Sequence, residues 1–482
     1  MTIRPATTRS PSWVLAETGT SAVFSFFSLI LIAKVIGPDA AGLGAVAIAA
    51  FLLADLASSS LFTDALVQRA TLSEHHVRSA ITVQVLVGVT GALVLALLAS
   101  PIARLSDAPE VADLIRVLAA LLPFSAFSGA VSGMVLRAQR YRLLAMRALI
   151  GQPLALGIGL LLAAQGYGPW ALIGQQAVAT MSVFMLMIVM GRHRIRPAVT
   201  WRPLADLWPV AGPQILSVVV LAGRYRLFVL ALSMVTGEAV VAVCNVAFRL
   251  LDSALNIVWG SVSRLSLPRL SALQGNRASL ADAYGDLAQL QALMGMPIAA
   301  GIALTAPDLI RALLGPVWLE AAPATQLVGW IAVFSFTWGD PGSLFVALGK
   351  TKRNLMLSSA SLAVPLATLF IARPETPFGV AFCWASSTVV MAPWIVWLTL
   401  TELKRSPLWL LGRIVPALAA TTAMAIAVTV LQGSAIRELA PFVRLVLSAG
   451  AGAVVFSVVA WLMLGRRPPQ GLANRAVTIA AE

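Results

Sequence analysis

Three arginines stand where arginine is rare. Arg224 and Arg226 lie deep in a hydrophobic run, past Gly212-Pro213, and Arg249 interrupts the apolar stretch Val246-Ala-Phe-Arg-Leu-Leu. Ionised side chains are costly inside a bilayer and face a bundle interior or a water-filled cavity. Guanidinium forks bind phosphate oxygens bidentately, so in a cavity these three would suit a pyrophosphate or an acidic sugar. The same residues also allow a local reading, with Arg224 and Arg226 snorkelling to an interface and Arg249 paired with Asp252. Two acids form a second group, Glu17 in the first run and Asp55 in the second. An antiparallel hairpin brings both to similar depth, where a buried carboxylate could carry H+ or Na+. Against this, Glu17 lies a few residues from the end of its run, where water would solvate it. Asp64 and Asp340 lie near run ends and read as helix-end or loop groups.

Other chemistry is hard to assemble. There is no phosphate-cradling P-loop and no GxGxxG in a strand-turn-helix setting. The histidines are His75, His76 and His193, all in basic loops, and adjacent histidines on a helix point in different directions. A solvated loop explains His75-His76 better than a metal site, and no Ser/His/Asp set can be built from loop histidines and buried serines. Cys244 and Cys383 fall in separate apolar runs without metal-ligand spacing and read as small core fillers. Neither a metal nor an organic cofactor is expected, and the chain does not read as an enzyme.

The elements that must position these groups are membrane spans. The chain is 59% hydrophobic and 11% charged, with a mean hydropathy of +0.88, far outside the soluble range. Its apolar runs are about 20 residues long, the length needed to cross a bilayer as a helix, and number about fourteen. Basic loops alternate with loops holding few cations. The basic set is Arg69 to Arg78, Arg137 to Arg147, Arg192 to Arg202, Arg264 to Arg277, Lys350 to Arg353 and Lys404 to Arg413. Arg4, Arg9, Arg466, Arg467 and Arg475 at the two ends belong to it. Positive loops stay cytoplasmic, so this alternation places both termini inside a multi-pass protein. The net charge of +14 then faces anionic membrane lipids, and no nucleic-acid partner is needed to explain it. The first run is long and lacks a small-x-small cleavage site, so it reads as a retained span. Trp13, Trp170, Trp201, Trp208 and Trp318 fall near run ends, as interfacial anchors should; Trp259 is deeper and could stack on a saccharide.

The chain also repeats itself. Val35-Ile-Gly-Pro-Asp-Ala-Ala-Gly42 after the first run matches Val235-Thr-Gly-Glu-Ala-Val-Val-Ala242 after the seventh. Ser100-Pro-Ile-Ala-Arg104 matches Ala306-Pro-Asp-Leu-Ile-Arg311, Arg140-Tyr-Arg142 matches Lys350-Thr-Lys-Arg353, and Gly166-Tyr-Gly-Pro-Trp170 matches Pro377-Phe-Gly379. Four matches in one order at nearly one offset imply a duplicated six-span unit. The expected fold is therefore an all-α polytopic membrane protein of about fourteen transmembrane helices. It has two pseudo-symmetric six-helix lobes, 1–202 and 203–402, and two additional helices with a cytoplasmic tail over 403–482. Repeats of this kind bind substrate between the halves and alternate access by rocking. The inner loop at 261–289 is the one sizeable soluble piece. Ser279 and Asp282 there have capping-box spacing, and the loop reads as an interfacial helix linking the halves.

Several stretches resemble one family. Ile36-Gly-Pro-Asp-Ala-Ala-Gly-Leu-Gly-Ala-Val-Ala47 resembles the turn after the first helix of Wzx-like oligosaccharide flippases, and Ala65-Leu-Val-Gln-Arg69 their exit from the second. Gly166-Tyr-Gly-Pro-Trp-Ala-Leu172, Asn245-Val-Ala-Phe-Arg-Leu250, Leu267-Pro-Arg-Leu-Ser271 and Gly315-Pro-Val-Trp318 are similar to further motifs of the same proteins. This polysaccharide transporter branch shares a superfamily with multidrug MATE exporters and the lipid II flippase. The resemblance implies a two-lobed, fourteen-helix transporter. It would carry undecaprenyl-pyrophosphate-linked oligosaccharide repeat units across a bacterial inner membrane, for exopolysaccharide, capsule or O-antigen (lipopolysaccharide) synthesis. Its implied partners are the lipid-linked oligosaccharide and a polysaccharide polymerase with its co-polymerase. The family's cationic cavity agrees with Arg224, Arg226 and Arg249. One departure stands out: relatives often carry an aspartate in the seventh helix, whereas Arg224-Tyr-Arg-Leu-Phe-Val-Leu-Ala231 has none, and Cys244 replaces a tyrosine. That puts ion coupling through this helix in doubt. Two other readings are a MATE-like cation-coupled exporter, which would want acidic cavity groups, and a membrane polysaccharide polymerase, which would want large catalytic outer loops.

Overall fold

The computed structural model describes residues 11–69, 72–138, 140–191, 198–434 and 436–464. Arg4, Arg9, Arg192, His193, Arg466, Arg467 and Arg475 lie outside them, as do the side chains of Trp13, Asp64, Pro213 and Arg264. Every described regular element is helical. In chain order they are α1 (Pro11–Ser59), α2 (Thr63–Gln68), α3 (Glu74–Leu105), α4 (Val111–Ala119), α5 (Leu122–Arg137), α6 (Tyr141–Ala164), α7 (Trp170–Gly191) and α8 (Trp201–Ser233). There follow α9 (Glu238–Ala272), α10 (Arg277–Leu313), α11 (Ala321–Ser335), α12 (Pro341–Ala347), α13 (Thr351–Ala372), α14 (Pro377–Leu403), α15 (Pro407–Gly433) and α16 (Pro441–Leu464). Helices are the elements that satisfy every backbone polar group internally, which lipid demands.

Ten of the described helices are long and apolar enough to cross a membrane, and α4 with α5, bent by 42°, makes an eleventh. The remaining runs expected to span are helical too, as the first leg of α1, as α8, and as the short pair α11 and α12. α1 is two helices in one, because Gly37 (φ 79°, ψ 173°) breaks it. Only glycine tolerates that backbone region, and Pro38 next to it starts the second leg. The same Gly-Pro device recurs at Gly315 (φ 99°), ahead of a short 3-10 turn at Pro316–Trp318. Before α7, Gly166 (φ 82°) and Gly168 (φ 52°) make the turn of the Gly-Tyr-Gly-Pro motif. Its repeat partner opens α14 through Pro377, capped by the Thr376 hydroxyl, which accepts from Gly379 N–H.

Packing divides the chain into two compact units, Met1–Asn245 and Val246–Glu482. In the first, α1 packs on α6, α8, α5, α4 and α3, while α7 lies on α6 and α5. Close approach of α1, α3 and α5 depends on missing side chains. A Cβ on Gly129 would collide with the Ser59 carbonyl, and one on Gly88 would sit 2.7 Å from the Ala126 methyl. Fully buried Gln84 of α3 spans the seam, donating to the carbonyls of Ser59 (2.6 Å) and Ala126 (3.1 Å) and accepting from Phe62 N–H (3.2 Å). Leu204, Leu207 and Ala211 at the start of α8 join Leu61, Phe62 and Leu66 in one apolar cluster. In the second unit, α10 packs on α11, α15 and α16, and α14 on α11 and α13.

Three sequence expectations change. Residues 261–289 do not form a separate interfacial helix: α9 and α10 run on until only the turn at 273–276 parts them, and Asn276 rather than Ser279 caps α10. Trp318 is 1% exposed, a core residue of the 3-10 turn and not an interfacial anchor, whereas Trp170, Trp201 and Trp208 are exposed as anchors should be. His76 is not merely solvated. It closes a capping box with Ser73 at the start of α3 and faces Asp206 at 3.3 Å. Both cysteines are buried, as core fillers are.

Candidate functional site

Arg224, Tyr225 and Arg226 are consecutive on α8, and all three are half-buried. The Tyr225 hydroxyl donates to Asn245 Oδ1 at 2.5 Å, tying α8 to the first part of α9. Arg226 of α8 lies near enough to Asp55 of α1 for charge attraction. The Ser125 hydroxyl of α5 is within reach of the Asp55 carboxylate. One oxygen of that carboxylate, Oδ1, is buried without a hydrogen-bond partner. The reason these groups meet is local. Asp55 lies one turn before Ser59 and Ser125 one turn before Gly129, so the glycine contact that seats α5 on α1 also sets the Asp55–Ser125 distance. An acid and a cation, both half-buried, thus lie near one another among apolar helices, where their attraction is less screened than in water.

Glu17 has different company. Arg147 of α6 holds Glu17 Oε1 through Nε (3.1 Å) and Nη2 (2.8 Å), and its Nη1 donates to the Ser132 hydroxyl (3.3 Å). Asp55 is joined instead to Ser125 and Arg226, so the two acids have separate partners. Arg249 is half-buried on α9 in the second unit. Asp340 is a helix-end group as expected: it caps α12, accepting from Ser343 N–H (3.1 Å) and from the hydroxyls of Ser343 (2.5 Å) and Ser263 (3.0 Å). Trp259 packs on Phe336 with ring centroids 5.6 Å apart, which accounts for its aromatic face without a sugar.

Sequence reasoning missed Ser125, Tyr225, Asn245 and Arg147. Ser125 is one of many small residues in α5, and nothing in its neighbours marks it. Arg147 was counted among loop cations because its charge, not its depth, is what a loop tally records. Arg137, tallied the same way, donates through Nη1 to the carbonyls of Leu66 (3.0 Å), Val67 (3.2 Å) and Arg69, closing the C-terminal end of α2.

A helical chain of many apolar spans, with polar groups held among its helices, has the architecture of a multi-pass membrane protein. Among solved structures the fold is similar to the lipid II flippase MurJ in an inward closed conformation, with a TM-score of 0.77, 14% identity, and 95% of this chain and 99% of that one covered. It is also similar to an inward-facing multidrug resistance MATE family transporter of the MOP superfamily, with a TM-score of 0.65, 15% identity, and 81% and 98% covered. The chain belongs to the family described as Polysaccharide biosynthesis protein, which it matches over residues 31–323, more than half its length. A curated relative is the succinoglycan biosynthesis transport protein ExoT of Rhizobium meliloti (strain 1021), 23% identical over 326 residues, which are 67% of this chain. The match spans 65% of that relative's length. The chain is therefore a multi-pass membrane protein of the Polysaccharide biosynthesis protein family, with a fold similar to those of the MurJ and MATE structures.

Proposed function

We propose that this protein is a flippase for undecaprenyl-pyrophosphate-linked oligosaccharide repeat units, working by alternating access in the bacterial inner membrane with both termini cytoplasmic. Arg224, Arg226 and Arg249 take the anionic pyrophosphate or acidic sugars, and the product goes to a polymerase and co-polymerase on the far side. The observation that carries this reading is the half-buried arginine pair of α8, one member near the half-buried Asp55 carboxylate, in a chain of this family. Guanidinium groups held among apolar helices are matched to a phosphate-bearing substrate. Asp55 is the acid best placed for coupling to H+ or Na+, because it sits beside a substrate-binding cation. No bond in the substrate need be made or broken.

The experiment is a pair of strains. Deletion is expected to accumulate single lipid-linked repeat units on the cytoplasmic leaflet, and Arg224→Ala/Arg226→Ala is expected to do the same while the protein inserts at wild-type level. Accumulation on the outer leaflet would assign the chain to polymerisation instead. Normal export by the double mutant would remove the arginines from the site.

A further inference from the structure

A groove on the second unit combines an apolar wall with a basic end. It lies along α11 and α14 and encloses about 810 Å³, within the range of about 300–1,000 Å³ that holds defined small ligands. Its hollow has a simple cause: Ala392 and Pro393 are small, while Trp338 and Trp397 beside them are large. The wall is rigid. Trp338 is packed edge-on to Phe334 at 5.3 Å, and its carbonyl accepts from the Tyr284 hydroxyl at 2.5 Å. The two threonines that line the groove turn their hydroxyl donors onto their own chain, Thr401 to the Trp397 carbonyl (2.8 Å) and Thr337 to the Phe334 carbonyl (2.7 Å). The lining is thus apolar until the end of α14, where Lys404 and Arg405 close it.

Those two cations are displayed, not withdrawn. Lys404 ends α14 in the left-handed conformation (φ 51°), with its N–H satisfied by the Leu400 and Thr401 carbonyls, and its side chain is exposed. Arg405 is held by Asp282 (3.6 Å) and over the Trp409 ring (5.5 Å from the centroid). Arg413 shares both, at 3.4 Å and 5.8 Å. The cluster therefore stays net positive: Lys404, Arg405 and Arg413 against Asp282, with Asp286 engaged by Arg413 and Arg269.

We propose that this groove is a binding site for one anionic glycerophospholipid, with its acyl chains against Trp338, Ala392, Pro393 and Trp397 and its phosphate on Lys404 and Arg405. An apolar trough with a cationic end complements that molecule in both parts, since apolar burial draws the chains and basic pockets between spans take anionic headgroups. This goes beyond the general attraction of basic loops for a charged surface, because a trough adds shape. The site is distinct from Arg224 and Arg226 and stands whether or not the flippase reading holds.

The test uses the full-length protein in detergent, with palmitoyl-oleoyl phosphatidylglycerol and the matching phosphatidylcholine as probes and bound lipid counted by native mass spectrometry. Phosphatidylglycerol is expected to be retained over phosphatidylcholine, and Lys404→Gln to lower its retention about fivefold. Val396→Trp, which fills the trough, is expected to lower retention of both lipids. Should that variant lose its wild-type thermal midpoint, Val389→Trp at the exposed rim makes the same measurement. Equal retention by wild type, Lys404→Gln and the filling variants overturns the proposal. Loss in the charge variant alone also overturns it, since that is adsorption to surface charge. Preferential retention of undecaprenyl phosphate over phosphatidylglycerol would give the groove to a polyprenyl lipid and likewise overturn it.

Discussion

At the scale of single residues, Asp55 and Arg226 have value only as a pair. Both are half-buried, so removing one is expected to cost less than breaking a fully buried pair, which costs about 3–5 kcal/mol. Arg226→Gln leaves Asp55 with the Ser125 hydroxyl as its support, so this variant is expected to lose thermal stability. Asp55→Asn/Arg226→Gln, which removes both charges, is expected to recover much of that loss. A double-mutant cycle on thermal midpoints should return a coupling of about 1–3 kcal/mol; additive losses would show that the two side chains do not support one another. Asp55→Asn alone keeps an oxygen acceptor for Ser125 and removes the charge. Under the flippase reading, its folded protein should export little glycan, because the carboxylate and not the fold was lost. Glu17 serves as the contrast. Arg147 holds it by two bonds, so Glu17→Gln is expected to cost stability more than export.

At the scale of elements, the site depends on how close α1 and α5 come. Gly129→Ala places a methyl on the Ser59 carbonyl, and the helices must part before it fits. Such overpacking costs about 1–3 kcal/mol and moves Ser125 away from Asp55, so this variant should lose both thermal stability and export. Gly91→Ala is the control, because its Cβ would meet Leu122 at an ordinary 3.7 Å; its midpoint and export should match wild type. If the two variants behave alike, the seam does not set the site. The sequence shows part of this. The Gly-Pro turn at Gly37 and the glycine turn before α7 were readable, because only glycine fits those backbone angles and the repeats mark them twice. The α1–α5 seam was not, since glycines and serines occur throughout the spans and pattern alone does not say which ones meet. Asp55 could be singled out as an acid in an apolar run, and Arg226 as a cation in another. That they meet depends on packing between helices far apart in sequence.

At the scale of the whole chain, hydropathy and charge alternation were enough to give a multi-pass helical protein, because lipid leaves few alternatives. The status of the last two spans was harder to read. They fall outside the repeat, which makes α15 and α16 look like an addition to the second unit, yet ion pairs bind both to α10. Arg413 of α15 reaches Asp286 at 2.7 Å, and Arg444 of α16 holds Asp308 through Nη2 and through Nε at 3.0 Å. Asp308 is 5% exposed, so loss of Arg444 would leave a buried carboxylate without its guanidinium, the costly half of a broken pair. The sequence repeat does not reveal this, because Asp308 and Arg444 lie 136 residues apart and neither is unusual alone. Arg444→Ala is therefore expected to lower the thermal midpoint more than Arg373→Ala, a change at the exposed end of α13. Asp308→Asn/Arg444→Gln should be less damaging than Arg444→Ala alone. Truncation after Leu403 should fail to yield a monodisperse protein in detergent. A truncated chain that purifies as a stable monomer and melts like wild type would make α15 and α16 separable from the second unit, with α10 sufficient without them.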